Sequence, residues 1–299
     1  YENINNKDLR TIYPPLAELA FGLVASVSPT VGAFQVVMAL ADLGVVALLM
    51  SLVRLGEKKD ANAFAAVGLA YGLNPLACIE SAMSAHLEPL AVLFVAVATA
   101  CLAAHRSARI SSLAARAGAA AALALSCCLK LVPLLFIAPF ARHLRAFAVA
   151  VPLALVGSYA VFWSSDLGPV RTLDTFARRW EGNASGFALL EGAARTAIGA
   201  AAGVARSDEM VHVPLLDGPA RALQGTFFSL HKDGGFDPAR PGAFALSDLS
   251  RAVAKGIACI LLAAIVVWTC RRRLEPTAAL LWTGGALVLL TRAPPSVRD

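Results

Sequence analysis

Long, unbroken apolar stretches dominate this chain and decide what it can become. They run from Gly32 to Val53, Ala63 to Ser81, Pro89 to Ala104, Leu113 to Leu129, Phe147 to Trp163, Ala252 to Thr269 and Thr277 to Leu290. A helix needs about 20 apolar residues to cross the hydrocarbon of a bilayer, and these stretches reach or approach that length. Two shorter pieces, Leu16–Val27 and Leu131–Phe140, suit helices that lie in the interface or re-enter the bilayer. A β-barrel would need apolar and polar residues in alternation, whereas these runs are solidly apolar. Composition agrees: 58% of the residues are hydrophobic and 15% are charged, too little polar surface for a soluble domain of 299 residues. The expected fold is all-α, a polytopic transmembrane helical bundle with interfacial helices on the extracytoplasmic side. A single membrane-embedded domain is expected over residues 1–299, with both ends read as cuts or unusual termini.

The net charge of +6 then has to be read by position, because Lys and Arg in short loops mark the cytoplasmic side. Arg54, Lys58 and Lys59 follow the first full stretch. Arg106 and Arg109 precede the fourth, Arg142 and Arg145 the fifth, and Arg271, Arg272 and Arg273 the last. All four groups fall on one side if Leu16–Val27 lies on the outer surface without crossing, as its length also suggests. The turn holding Glu80, His86 and Glu88 is then extracytoplasmic. Lys130, Asp166 and the long segment 164–251 share that side. Within this segment "LLEGAARTAIGAAAGVA" reads as an interfacial helix, with one more span as the alternative, and "LLDGPA" and "HKDGGFDPARPG" read as exposed loop.

Several chemistries are excluded. No basic stripe interleaved with aromatics points to nucleic acid. The six cysteines sit in or beside apolar runs without zinc spacing and read as small buried hydrophobes. "GLVASVSPTVG" lacks the end of a phosphate loop, and "HKDGGFDP" lacks the ligand spacing of a calcium loop. His105, His143, His212 and His231 read as solvated side chains. Asp42 sits inside an apolar stretch, where a carboxyl should face the bundle interior and find a partner.

The outer rim gathers Tyr13, Glu80, His86, Glu88, Lys130, Trp180 and Asn183. Carboxylates there can bind a divalent ion or take a hydroxyl's proton. Lys130 can neutralise a phosphate at headgroup level, or simply snorkel to the interface. Trp180 offers a stacking face for a sugar, or a belt anchor. These residues alone leave an enzyme and a transporter equally open.

Four fragments carry a resemblance. "NNKDLRTIYPPLAELAF" (Asn5–Phe21), "NPLACIESAMSAHLEPL" (Asn74–Leu90), "CLKLVPLLFIAPF" (Cys128–Phe140) and "FARRWEGNASGFALL" (Phe176–Leu190) occur in this order. Together they resemble integral-membrane GT-C glycosyltransferases, in the bacterial α-mannosyltransferase-like branch that uses polyprenyl-phosphate sugars. The resemblance implies a multi-pass protein of the bacterial cytoplasmic membrane, acting on the cell envelope. It implies transfer of a sugar, mannose being the expected one, from a polyprenyl-phosphate donor to a lipid or glycan acceptor on the extracytoplasmic face. Glu80, His86 and Glu88 would line the acceptor or metal side, and Lys130 would face the donor phosphate. Tyr13, Trp180 and Asn183 would bind the sugar, with Pro14 and Pro15 shaping the outer helix.

No cofactor is required by this reading, and a divalent cation is an open option. The family's candidate base is an aspartate early in the first outer loop, expected upstream of Tyr1, so no catalytic base is assigned. Glu88 stands where the family has Asp, Ala85 where it has Gly, and Val132 where it has Tyr. "APPSVRD" replaces the family's late Pro-Trp-Tyr motif, which leaves an inactive enzyme open. The rival readings are a secondary transporter or lipid flippase, and a non-catalytic membrane homologue.

Overall fold

A computed structural model describes residues 13–55, 61–161, 185–224 and 237–291. These residues are mostly helical, and five helices among them are long and apolar enough to cross a membrane: Val31–Arg54, Glu88–Arg106, Ser112–Leu129, Val132–Ala160 and Leu246–Arg271. Large apolar side chains stay uncovered along them, among them Leu40 and Leu43 at 60% and 63% exposure and Ile260 at 69%. Helices with such uncovered apolar faces belong in lipid. The chain divides into two compact units, residues 1–172 with 269–281, and residues 173–268 with 282–299.

In the first unit, α1 (Pro15–Val27) begins on the Pro14-Pro15 pair, where a missing N–H costs a helix nothing. It buries Pro15 and Ala17 and turns Leu19, Leu23 and Val27 outward. Next come α2 (Val31–Leu55) and α3 (Ala61–Gly72). The apolar stretch expected to run unbroken from Ala63 to Ser81 stops at Leu73-Asn74, because the residue before Pro75 is driven from helical backbone. A short α4 (Pro75–Cys78) follows, then one wide π-type turn, Ile79–Met83, whose Met83 carbonyl accepts a hydrogen bond from Gln35 Nε2 at 3.0 Å. Asp42 finds the partner its position demands: Tyr71 on α3 donates its hydroxyl to Asp42 Oδ1 at 2.7 Å.

The centre of this unit is the antiparallel pair α5 (Glu88–Arg106) and α6 (Ser112–Leu129). Lipid offers no hydrophobic drive for helices to meet, so small residues that let backbones approach must do it. Ala98, Ala115, Ala119, Ala120 and Ala122 are all buried. The buried Ser126 hydroxyl on α6 donates across to the Ala91 carbonyl of α5 at 2.7 Å. Ser111 caps the start of α6 by accepting from the Ala114 N–H at 3.2 Å.

After Lys130, the 3₁₀ turn Val132–Phe136 leads into α7 (Ile137–Leu144). Phe136, Phe140 and Leu144 enter the same core cluster as Leu102 and Ala119, so this piece packs inward and does not lie on the surface. Arg145 then takes a backbone of φ 54°, ψ −130°, which breaks the helix. The chain continues through residues 145–149 into α8 (Ala150–Val161), which packs on α6. The apolar stretch Val132–Ala160 is thus broken at Arg145 and is not one straight rod.

The second unit holds α9 (Ser185–Ala202), strand β1 (Met210–His212), α10 (Asp217–Leu223), strand β2 (Ala243–Ala245) and most of α11 (Leu246–Arg271); α12 (Pro276–Thr291) completes the chain. The bundle is helical as expected, and this unit adds one small exception. β1 and β2 pair antiparallel with Val211 opposite Phe244, a small ladder inside the long segment. "LLDGPA" is also not plain loop: it lies in a 3₁₀ turn and α10. Gly203 closes α9 in left-handed backbone, φ 69°, so that the Val204 N–H reaches the Gly199 carbonyl at 3.0 Å.

Candidate functional site

The start of one antiparallel helix lies beside the end of its neighbour. Glu88 opens α5 and Lys130 follows the last residue of α6, so the α5–α6 pairing alone puts them at one end of the bundle. The Ser126–Ala91 bond, one turn in from each, fixes their register. The Lys130 ammonium makes an ion pair and hydrogen bond with Glu88 Oε1. Both side chains are partly exposed, 29% for Lys130 and 39% for Glu88. Glu88 Oε2 is buried and accepts no hydrogen bond among the described residues. His86 Nδ1 stands 3.7 Å from that oxygen, near enough for charge attraction and too far for a hydrogen bond.

Local backbone presents these groups. Leu87 is the residue before α5 and is fully buried, which leaves His86 and Glu88 on either side of it facing out. Pro89 sits in the first helical turn, and Glu88 beside it meets the positive end of the helix dipole. Ala85, just upstream, has φ 53°, the left-handed region that glycine takes without cost.

Tyr13 belongs to the same end. It packs on a cluster built from Ala17, Met38, Leu87, Ala91 and Leu129, that is, on the chain neighbours of Glu88 and Lys130. Its ring meets the edge of Phe21 with centroids 5.5 Å apart. Burial, with Glu18 nearby, pushes its phenol pKa up. Glu80 falls in the wide π-type turn, while its side chain is outside the description. Trp180 and Asn183 lie outside the described residues. The structure thus joins Tyr13, His86, Glu88 and Lys130 and is silent on the other three.

A divalent cation would need more oxygen and nitrogen ligands than this cluster supplies. Among the described residues no three His, Cys, Asp or Glu side chains converge, and a lysine ammonium already faces the Glu88 carboxylate. The described side chains of this cluster do not by themselves make a metal site, and no step is routed through one.

Two groupings escaped the sequence reading. His212 is exposed, as read from the sequence, and it also has a partner: its Nε2 lies 3.0 and 3.1 Å from the two carboxylate oxygens of Asp217. Asp217 Oδ1 also accepts from the Gly242 N–H at 2.7 Å, tying α10 to the β-ladder. A Cβ on Gly242 would come 2.5 Å from the Val213 carbonyl oxygen, so only glycine fits. Arg106, Arg142 and Arg145, read as topology markers in separate groups, converge elsewhere with Arg116 on one cavity. Sequence spacing signalled neither, since each depends on chain pieces far apart.

No family model matches this chain, and neither a curated protein nor a solved structure matches it.

Proposed function

We propose that this chain is a membrane-embedded glycosyltransferase that moves a sugar, mannose in the first instance, from a polyprenyl-phosphate donor to a lipid or glycan acceptor on the extracytoplasmic face. The reading rests on the four ordered fragments that resemble the GT-C branch. The observation that carries it further is the meeting of Lys130 with Glu88 beside Tyr13 at one end of the bundle. A polyprenyl tail lying in lipid would bring its phosphate to such an end, where an ammonium neutralises charge at headgroup level. In the transfer, the acceptor oxygen attacks the anomeric carbon, the bond from that carbon to the phosphate oxygen breaks, and the lipid phosphate leaves with the electron pair. Lys130 would stabilise the growing negative charge on that phosphate. Glu88 Oε2, which accepts no hydrogen bond from a described residue, would receive the acceptor hydroxyl and hold it for attack. The base that finally takes the proton is not assigned.

The test is transfer of label from radiolabelled polyprenyl-phosphate-mannose by the purified full-length protein. Lys130→Ala should raise the KM for donor, and Glu88→Gln should lower kcat. Each should cost tenfold or more in kcat/KM, on the order of 1.4 kcal/mol of transition-state binding. Unchanged rates in both variants would remove this pair from the reaction. The helix break at Asn74-Pro75 is a feature that secondary transporters also use. The same assay separates the two readings, since a transporter moves label without forming a glycosidic bond.

A further inference from the structure

The end of the first unit away from Glu88 holds a cavity of about 160 Å³ whose polar lining is wholly basic: His105, Arg106, Arg116, Arg142, His143 and Arg145. These groups come from separate pieces of chain, namely the last turn of α5, the second turn of α6, the last turn of α7 and the turn that follows it. Partners answer only part of the charge. Arg106 pairs with Glu275. Arg142 donates from Nη2 to the Leu274 carbonyl and from Nε to His143 Nε2 at 2.8 Å. His105 donates from Nδ1 to the Ile110 carbonyl at 3.2 Å. The guanidinium groups of Arg116 and Arg145 have no ion pair or hydrogen bond among the described residues.

The positive-inside rule accounts for arginines on this face of a membrane protein. It does not account for their convergence, because like charges drawn into one recess repel unless something negative sits among them. Arg145 adds a second mark. Its φ of 54° with ψ −130° is backbone that glycine adopts freely and a side-chain residue adopts under strain. Arg145 nevertheless holds that backbone and lines the recess.

We infer that this cavity binds a phosphate-bearing anion. Guanidinium forks match phosphate oxygens in pairs, and two of the four here are without a carboxylate or carbonyl to hold them. Two sources offer that chemistry: a free phosphate compound, or the headgroup of an anionic lipid at the membrane face where these basic loops lie. The site is separate from Glu88 and Lys130 and does not depend on the sugar-transfer proposal.

The experiment follows the thermal unfolding midpoint of the full chain in neutral detergent, with inorganic phosphate against chloride at equal ionic strength. Arg116→Gln and Arg145→Gly are measured beside the parent. Phosphate should raise the parent midpoint saturably, and each variant should bind about tenfold more weakly, as expected for loss of one charge-assisted contact. Without phosphate, Arg145→Gly should melt higher than the parent, because glycine relieves its backbone. Weaker binding by that variant is therefore not misfolding. A second arm compares phosphatidylcholine nanodiscs with and without phosphatidic acid. A midpoint rise from phosphatidic acid alone, lost in both variants, assigns the site to a lipid headgroup. A rise from inorganic phosphate, lost in both, assigns it to a free phosphate compound. No response to either probe, or a response that persists in either variant, overturns the inference.

Discussion

Ala85 sits in left-handed backbone, φ 53°, immediately before the residues that present His86 and Glu88. A Cβ there crowds the following carbonyl and costs about 1 kcal/mol. Ala85→Gly should therefore raise unfolding stability by about that amount, read as a higher denaturation midpoint. Asp217 offers a test of the other unit. The His212 side chain and the Gly242 N–H hold its carboxyl below the usual range despite some desolvation. A carboxyl with a depressed folded pKa adds stability above its unfolded pKa and loses it as pH falls through the folded value. Amide exchange at Gly242, corrected for intrinsic rate, should speed up in acid below the ordinary aspartate range. Asp217→Asn should abolish that pH dependence.

Among the elements, the α5–α6 pair was the most legible in the sequence. Pro89 and Glu88 announce the start of α5, Ser111 caps α6, and alanines fill both faces, so composition and capping agree with the packing. Ser126→Ala should remove the interhelical bond to Ala91 at a cost of roughly 0.6 kcal/mol, the typical worth of such a bond in a membrane bundle. Ser126→Leu should cost more, about 1–3 kcal/mol, because no volume is free at a fully buried position. Both are read from unfolding in mixed micelles. Other elements were hidden for identifiable reasons. Leu131–Phe140 is too short to span alone, and only its continuation to Leu144 with 3₁₀ rise carries it along the bundle. The β1–β2 ladder has three-residue strands, too short for alternation to be seen. Tyr71 could not be named as Asp42's partner, because a helix register between distant stretches is set by packing.

At the scale of the whole molecule, the distribution of charge predicts a sidedness, and the structure places the groups concerned at the two ends of α5. Glu88 and Arg106 open and close a helix of 19 residues, about 28 Å long, close to the thickness of the hydrocarbon layer. Sidedness itself has a direct check. In a chain with its native cysteines replaced, Ser84→Cys should react with a membrane-impermeant maleimide in right-side-out vesicles, and Ser107→Cys only in inverted ones; the reverse pattern would turn the orientation over. What the sequence did not carry was convergence. Lys130 and Glu88 are 42 residues apart, and only the antiparallel register of two helices brings their charges together. That register also has a mechanical meaning. Since the Ser126–Ala91 bond ties the two backbones one turn from the rim, side-chain torsion alone is enough to part the ammonium from the carboxylate, as a latch swings on a fixed frame.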